Sequence, residues 1–156
     1  MSRADPDPFA EFIERASSEL AAQGFPRMPA RVLMALTATD DGKATSEELA
    51  TRLQASPAAI SGAVKYLGVV GFVRNTTMPG TRKHIYSLGE TPWYATSFTR
   101  GELYTQIENA MRGPVEGMPE SGALRRIEEV ADFFAFMRRR LPSLLDEWIA
   151  ERRAKS

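Results

Sequence analysis

Cysteine is absent from this chain, and histidine occurs once among its 156 residues. Without thiols there is no disulfide framework, no thiolate zinc site and no cysteine nucleophile. With His84 alone, a histidine-based metal site would need an unusual ligand set, so no metal and no cofactor is expected. Long apolar runs are missing as well, none approaching the roughly 18 residues that a membrane span needs. The opening MSRADPDPF is polar and punctuated by proline rather than a charged stretch leading into an apolar one. The expectation is a soluble, cytoplasmic chain with no membrane partner. Catalytic equipment is sparse too. Glu128 and Asp132 stand one helical turn apart, and Ser17, Ser18 and Ser46 have no nearby histidine or activating motif, so an enzyme is not expected. What the chain does have is 43% hydrophobic content, enough for one compact domain with long accessory helices.

The net charge is zero, but it is a sum of unlike parts. Residues 1 to 48 carry five Lys/Arg and nine Asp/Glu, and residues 90 to 156 carry ten and eleven. Between Leu49 and Gly89 there is no acid at all, only Arg52, Lys65, Arg74, Arg82 and Lys83. A basic segment on a neutral protein is the electrostatic footprint of a polyanion binder.

The organisation of that segment is specific. Thr45-Ser46-Glu47-Glu48 fits a capping box, with the Thr45 hydroxyl accepting from the Glu48 backbone while the Glu48 carboxylate reaches back. Leu49, Ala50 and Leu53 form the apolar side of the helix that starts there. A second start follows after Gln54-Ala55, with Ser56 as N-cap and Pro57 at the first helical position. Ile60, Ala63, Val64, Leu67 and Gly71 then keep a 3.6-residue spacing toward a core, and Ala58, Ser61, Gly62 and Lys65 keep it on the opposite face. Two helices joined by a tight turn, the second with a small-residue outer face, suit insertion into a major groove, where bulky side chains would hold the backbone away. Gly62 costs about 1 kcal/mol relative to alanine in a helix interior. The alternative role for that glycine is to admit a neighbouring helix of the same domain.

FVRNTT and RKHIYSL read as two strands around Met78-Pro79-Gly80-Thr81, a sequence suited to a type II turn with Gly80 at positive φ. Helix, turn, helix and hairpin make a winged helix. The DNA-contact candidates are Ser56, Pro57, Ala58, Ser61, Gly62 and Lys65 on the second helix and Arg74, Arg82 and Lys83 on the wing. His84 reads as a strand residue or phosphate donor rather than a metal ligand.

The segments GFPRMPARVLMAL (24 to 36), SEELATRLQASPAAISGAVKYL (46 to 67), GFV (71 to 73) with PGTRKHIYSL (79 to 88), and EEVADFFAFMRRRLPSLLDEW (128 to 148), taken in order, resemble the MarR family of bacterial transcription regulators, and its GbsR-like branch in particular. The resemblance implies a homodimer built through an N-terminal helix and two C-terminal helices. It implies two winged helices on a palindromic double-stranded DNA operator, repression as the usual outcome, and release by a small molecule.

The flanks agree with such a plan. Residues 8 to 23 read as a helix with Phe9, Phe12, Ile13 and Leu20 as an apolar stripe, ended by Gly24. Residues 93 to 112 read as another after Pro92, and the stretch after Pro119 as a third, which Pro142 is expected to kink or break. The terminal helix has more large apolar residues than one small domain buries, so Phe134, Leu141, Leu145 and Trp148 are the dimerisation candidates. Arg138, Arg139 and Arg140 suggest either a second nucleic-acid patch or, with Glu128, Glu129 and Asp132 upstream, a salt-bridged solvated face. The expected fold is mainly α with a small β-hairpin wing: residues 1–24 a dimerisation helix, 25–90 the winged helix-turn-helix, 91–156 the C-terminal dimerisation helices. Phe12, Met34, Trp93, Tyr94 and Phe98 are candidates for a pocket taking a small apolar or aromatic effector, or else they simply fill a core. The alternative to a DNA-binding regulator is a winged helix used only for protein contacts.

Overall fold

In the computed structural model, which describes residues 7–88 and 101–155, three of the first four helices begin at a capping side chain. Asp7 accepts from the Phe9 backbone at 3.0 Å and opens α1 (Pro8–Ala22), and Gly24, at φ +90°, ends it. Helix α2 (Arg27–Thr37) follows. Its residues Ala30 and Val32 to Leu36 are all buried, which makes it the central helix of its unit. A turn closed by Gly42 leads to the short strand β1 (Lys43–Thr45) and directly into α3 (Ser46–Leu53). The capping box is formed as the sequence predicts: Glu48 N–H donates to Thr45 Oγ1 at 3.2 Å, and Thr45 N–H donates to Glu48 Oε2 at 2.7 Å.

Helix α4 (Pro57–Val70) begins at Ser56, whose hydroxyl accepts from Ala59 N–H, and ends at Gly71 in the left-handed region, φ 87°. Ile60, Ala63, Val64 and Leu67 point inward, joining Leu33, Leu36, Leu49, Leu53 and Ile13 in one core, whereas Gly71, expected on the same stripe, is exposed because it ends the helix. Burying that many aliphatic side chains at about 1.5–3 kcal/mol each is what holds four short helices together. Phe25 stands edge-on to Tyr66 and to Phe72 at its margin.

Strands β2 (Val73–Thr77) and β3 (His84–Leu88) pair antiparallel, and β1 pairs with the other side of β3, giving the order β1-β3-β2 with Ala44 opposite Tyr86 and Arg74 opposite Ser87. The sequence predicts only the hairpin. At three residues, β1 is too short to show alternation. The connecting turn is as expected: Thr81 N–H donates to the Met78 carbonyl at 3.1 Å and Gly80 has φ +75°. Arg82 and Lys83, expected on the returning strand, lie in this turn instead.

The chain divides into two compact units, Met1–Pro92 and Trp93–Ser156. In the second, α5 (Gly101–Arg112) and a 3-10 turn (Gly113–Val115) precede α6 (Gly122–Ala154), which Ser121 caps. The two helices run in opposite directions, with Arg112 meeting Asp132 and Glu108 meeting Arg138. The start of the helix expected from residue 93 lies outside the described residues. Helix α6 corrects the reading of Pro142. It is continuous through that residue, which is solvent-exposed and removes only one backbone bond from a 33-residue helix. Among the described residues no helix is long and apolar enough to cross a membrane.

Candidate nucleic-acid interface

All nine residues singled out for DNA contact are solvent-exposed, and they fall on two adjoining elements, the outer face of α4 and the hairpin. On α4 the inward stripe takes every apolar residue the core needs. Ala58, Ser61, Gly62 and Lys65 are left in solvent on the other side, with Ser56 and Pro57 at the tip. A Cβ placed on Gly62 would meet nothing within 4 Å. Among the described residues no neighbouring helix approaches that glycine, which disfavours the reading in which it admits one. The structure also adds Val69, 81% exposed one turn beyond Lys65, to the same face. It went unnoticed in the sequence because a valine near a helix end reads as core.

Arg74 on β2 and Arg82 in the turn project into solvent, and neither they nor Lys65 form an ion pair among the described residues. Lys83 does. Its ammonium lies 3.1 Å from the Glu47 carboxylate, joining the wing to the first turn of α3. The acid sits just outside the acid-free stretch, and only folding brings it beside the wing. Arg52, the remaining cation of the segment, donates to the Ala38 carbonyl at 3.4 Å. The wing turn is built from its own side chains. Thr81 Oγ1 donates to the Met78 carbonyl and accepts from Lys83 N–H, which fixes the backbone at Arg82 and Lys83. His84 is exposed, with Nδ1 2.9 Å from Asn75 Oδ1 and its ring stacked near Tyr86, so it braces the hairpin as a strand residue. No cluster of three or more His, Cys, Asp or Glu side chains suited to a metal occurs among the described residues.

Other candidates are distributed differently. Phe12, 41% exposed, lines an open depression along α1 with Glu11, Arg15 and Glu19, whereas Met34 is buried in the core; Trp93, Tyr94 and Phe98 lie outside the described residues. On α6, Leu141 is buried, Phe134 and Leu145 are half-buried, and Trp148 is 42% exposed. Phe134 packs on Tyr104 of α5 with ring centroids 5.7 Å apart. A second apolar stripe of Val130, Phe133, Phe136 and Leu144 is exposed alongside Trp148, with Phe133 and Phe136 at 56% and 51%. Arg138 pairs with Glu108 of α5 rather than with an acid of its own helix, and Asp132 takes Arg112. The hydrogen bonds from Arg112 and Arg138 hold the Glu108 carboxyl below the usual carboxylate range.

An exposed helix face of small residues beside unpaired cations, carried by a helix-turn-helix with a wing, is the geometry of a major-groove reader. Residues 91–152 match the profile of the MmpR5-like MarR family transcriptional regulators. The chain is 29% identical over 138 residues to the HTH-type transcriptional regulator MmpR5 of Mycobacterium tuberculosis, an alignment covering 86% of this chain and 82% of that one. The fold is also that of a crystal structure described as a transcriptional regulator, with a TM-score of 0.83 and 24% identity over 92% of this chain and 99% of the other.

Proposed function

We propose that this chain is a DNA-binding transcriptional regulator of the MarR family, acting in the cytoplasm as a homodimeric repressor that places α4 of each copy in successive major grooves of a pseudo-palindromic operator. The observation that carries this reading is the α4 face, where Gly62 is open to solvent and, besides small side chains, only Lys65 and Val69 stand in the way of a groove. Ser61 is positioned to bond a base edge, and Pro57 and Ala58 to touch a thymine methyl. Lys65, Arg74, Arg82 and Lys83 neutralise phosphates and so contribute affinity without sequence information. The exposed stripe on α6 supports a dimer, because five large apolar side chains in water on one helix face gain from a partner. In this reading residues 1–24 and 91–156 serve the dimer and residues 25–90 the DNA. The segments 24–36, 46–67, 71–73 with 79–88, and 128–148, taken in order, support the GbsR-like branch of the family. A small apolar or aromatic effector that favours one spacing of the two winged helices would release the operator.

Selection of bound duplexes from a random pool tests the reading directly. The expected product is a pseudo-palindrome with half-site centres about 10 base pairs apart. A pool that returns no enriched sequence contradicts it.

A further inference from the structure

Arg31 of α2 joins three helices through one side chain that is only 20% exposed. Its Nε and Nη2 donate to Glu14 Oε1 of α1 at 3.0 and 2.7 Å, and Nη2 also donates to the carbonyl of Leu53, the last residue of α3, at 3.1 Å. A carbonyl in the final turn of a helix has no donor within that helix, and a cation placed there also complements the negative end of the helix dipole. The next residue, Gln54, has φ 49°, in the left-handed region that non-glycine residues seldom adopt. Ser56 opens α4 two residues later. The entire connection between the helices of the motif is therefore Gln54 and Ala55 with the Ser56 cap. The direction in which α4 leaves depends on how firmly the end of α3 is held.

We propose that Arg31 is a positioning residue for α4. By pinning the Leu53 carbonyl it fixes the left-handed turn at Gln54, so that Ser56, Pro57, Ala58 and Ser61 reach a base edge at one angle, and Glu14 aims its guanidinium. The proposal rests on the DNA-binding reading above. Arg31 itself touches no DNA. Its effect falls on discrimination, because a tilted α4 still meets phosphates through Lys65 and the wing but misaligns its hydrogen bonds to bases. Lysine, which lacks the planar fork, holds the two acceptors less well while keeping the charge.

The test compares wild type, Arg31→Lys, Arg31→Met and Glu14→Gln for affinity toward a duplex selected by the wild-type protein and toward random duplex of equal length, across a salt series. The expected result is a loss of about three- to tenfold in the selected-to-random ratio for Arg31→Lys and Glu14→Gln, and more for Arg31→Met. Affinity for random duplex and the salt slope should stay unchanged. A ratio that stays at the wild-type value while melting temperature falls makes Arg31 structural only and overturns the proposal. Equal losses on both duplexes with a flatter salt slope overturn it in favour of a direct phosphate contact. If Arg31→Met does not fold, the two milder variants decide. A wild-type protein with no preference between duplexes contradicts the DNA-binding reading itself and is a separate outcome.

Discussion

Lys83 in the wing and Glu47 in the first turn of α3, 36 residues apart in sequence, form an ion pair of 3.1 Å with both side chains more than half exposed. A pair so open to water is worth about 0.2–1 kcal/mol at most, so a phosphate oxygen competes with the carboxylate on nearly equal terms. In the free protein this cation is partly neutralised from within.

Glu47→Gln releases it. The variant is expected to bind random duplex a few-fold more tightly, with a salt slope at least as steep as wild type's and within the limit set by four cations per chain, and stability within about 0.5 kcal/mol of wild type. Fluorescence anisotropy over a salt series reads both quantities, and weaker binding by the variant would mean that Glu47 instead holds Lys83 in its working position.

Gly62 separates folding from function. Because a Cβ there meets nothing, Gly62→Ala should raise stability by up to about 1 kcal/mol through helix propensity alone. Gly62→Leu should fold equally well yet lose affinity for a selected duplex, since its side chain stands between the helix backbone and the groove floor. Denaturant melts and gel shifts on the same preparations check this, and full DNA affinity in Gly62→Leu would remove α4 from the groove.

On α6 the exposed and buried apolar residues should respond oppositely to charge. Phe133→Asp with Phe136→Asp changes side chains already half in water, so each chain should stay folded while the dimer dissociates, as an unpaired charge buried in an interface costs several kcal/mol. Leu141→Asp should unfold the helix pair instead. Sedimentation at micromolar concentration distinguishes the cases, and a double variant that remains dimeric refutes this placement of the interface.

Glu108 ties the helix pair together in a pH-dependent way. Its carboxyl is held below its ordinary value, chiefly by the Arg112 hydrogen bond and then by Arg138. A depressed folded-state value adds stability that is complete above the unfolded-state value and disappears as pH falls through the folded one. The wild-type advantage over Glu108→Gln, measured from urea midpoints, should therefore be constant near neutrality and shrink in acid below the ordinary glutamate range. An advantage independent of pH would assign the effect to packing.

Much of this was legible in the sequence because it is local. The Thr45–Glu48 box, the Ser56 cap, the Met78–Thr81 turn and the two faces of α4 each depend on residues within a few positions of one another, and each formed as its pattern dictates. What the sequence concealed is long-range or too short to repeat. The three residues of β1 carry no period, and the partners Lys83–Glu47, Arg31–Leu53 and Arg138–Glu108 stand 36, 22 and 30 residues apart. Pro142 misleads because a proline signals a helix end only where nothing else sustains the helix. Here 20 residues before it and 12 after it continue the same helix.

The most direct test of the central claim is the salt dependence of binding to a selected duplex. With Lys65, Arg74, Arg82 and Lys83 from each of two chains, about eight phosphates are engaged, and log K should fall against log salt with a slope approaching −7 as its upper magnitude. Arg82→Ala should flatten that slope for every duplex alike, while Ser61→Ala should leave the slope and relax the sequence preference. A slope near zero in wild type, with binding that survives high salt, would contradict the account and favour a winged helix that meets proteins rather than DNA.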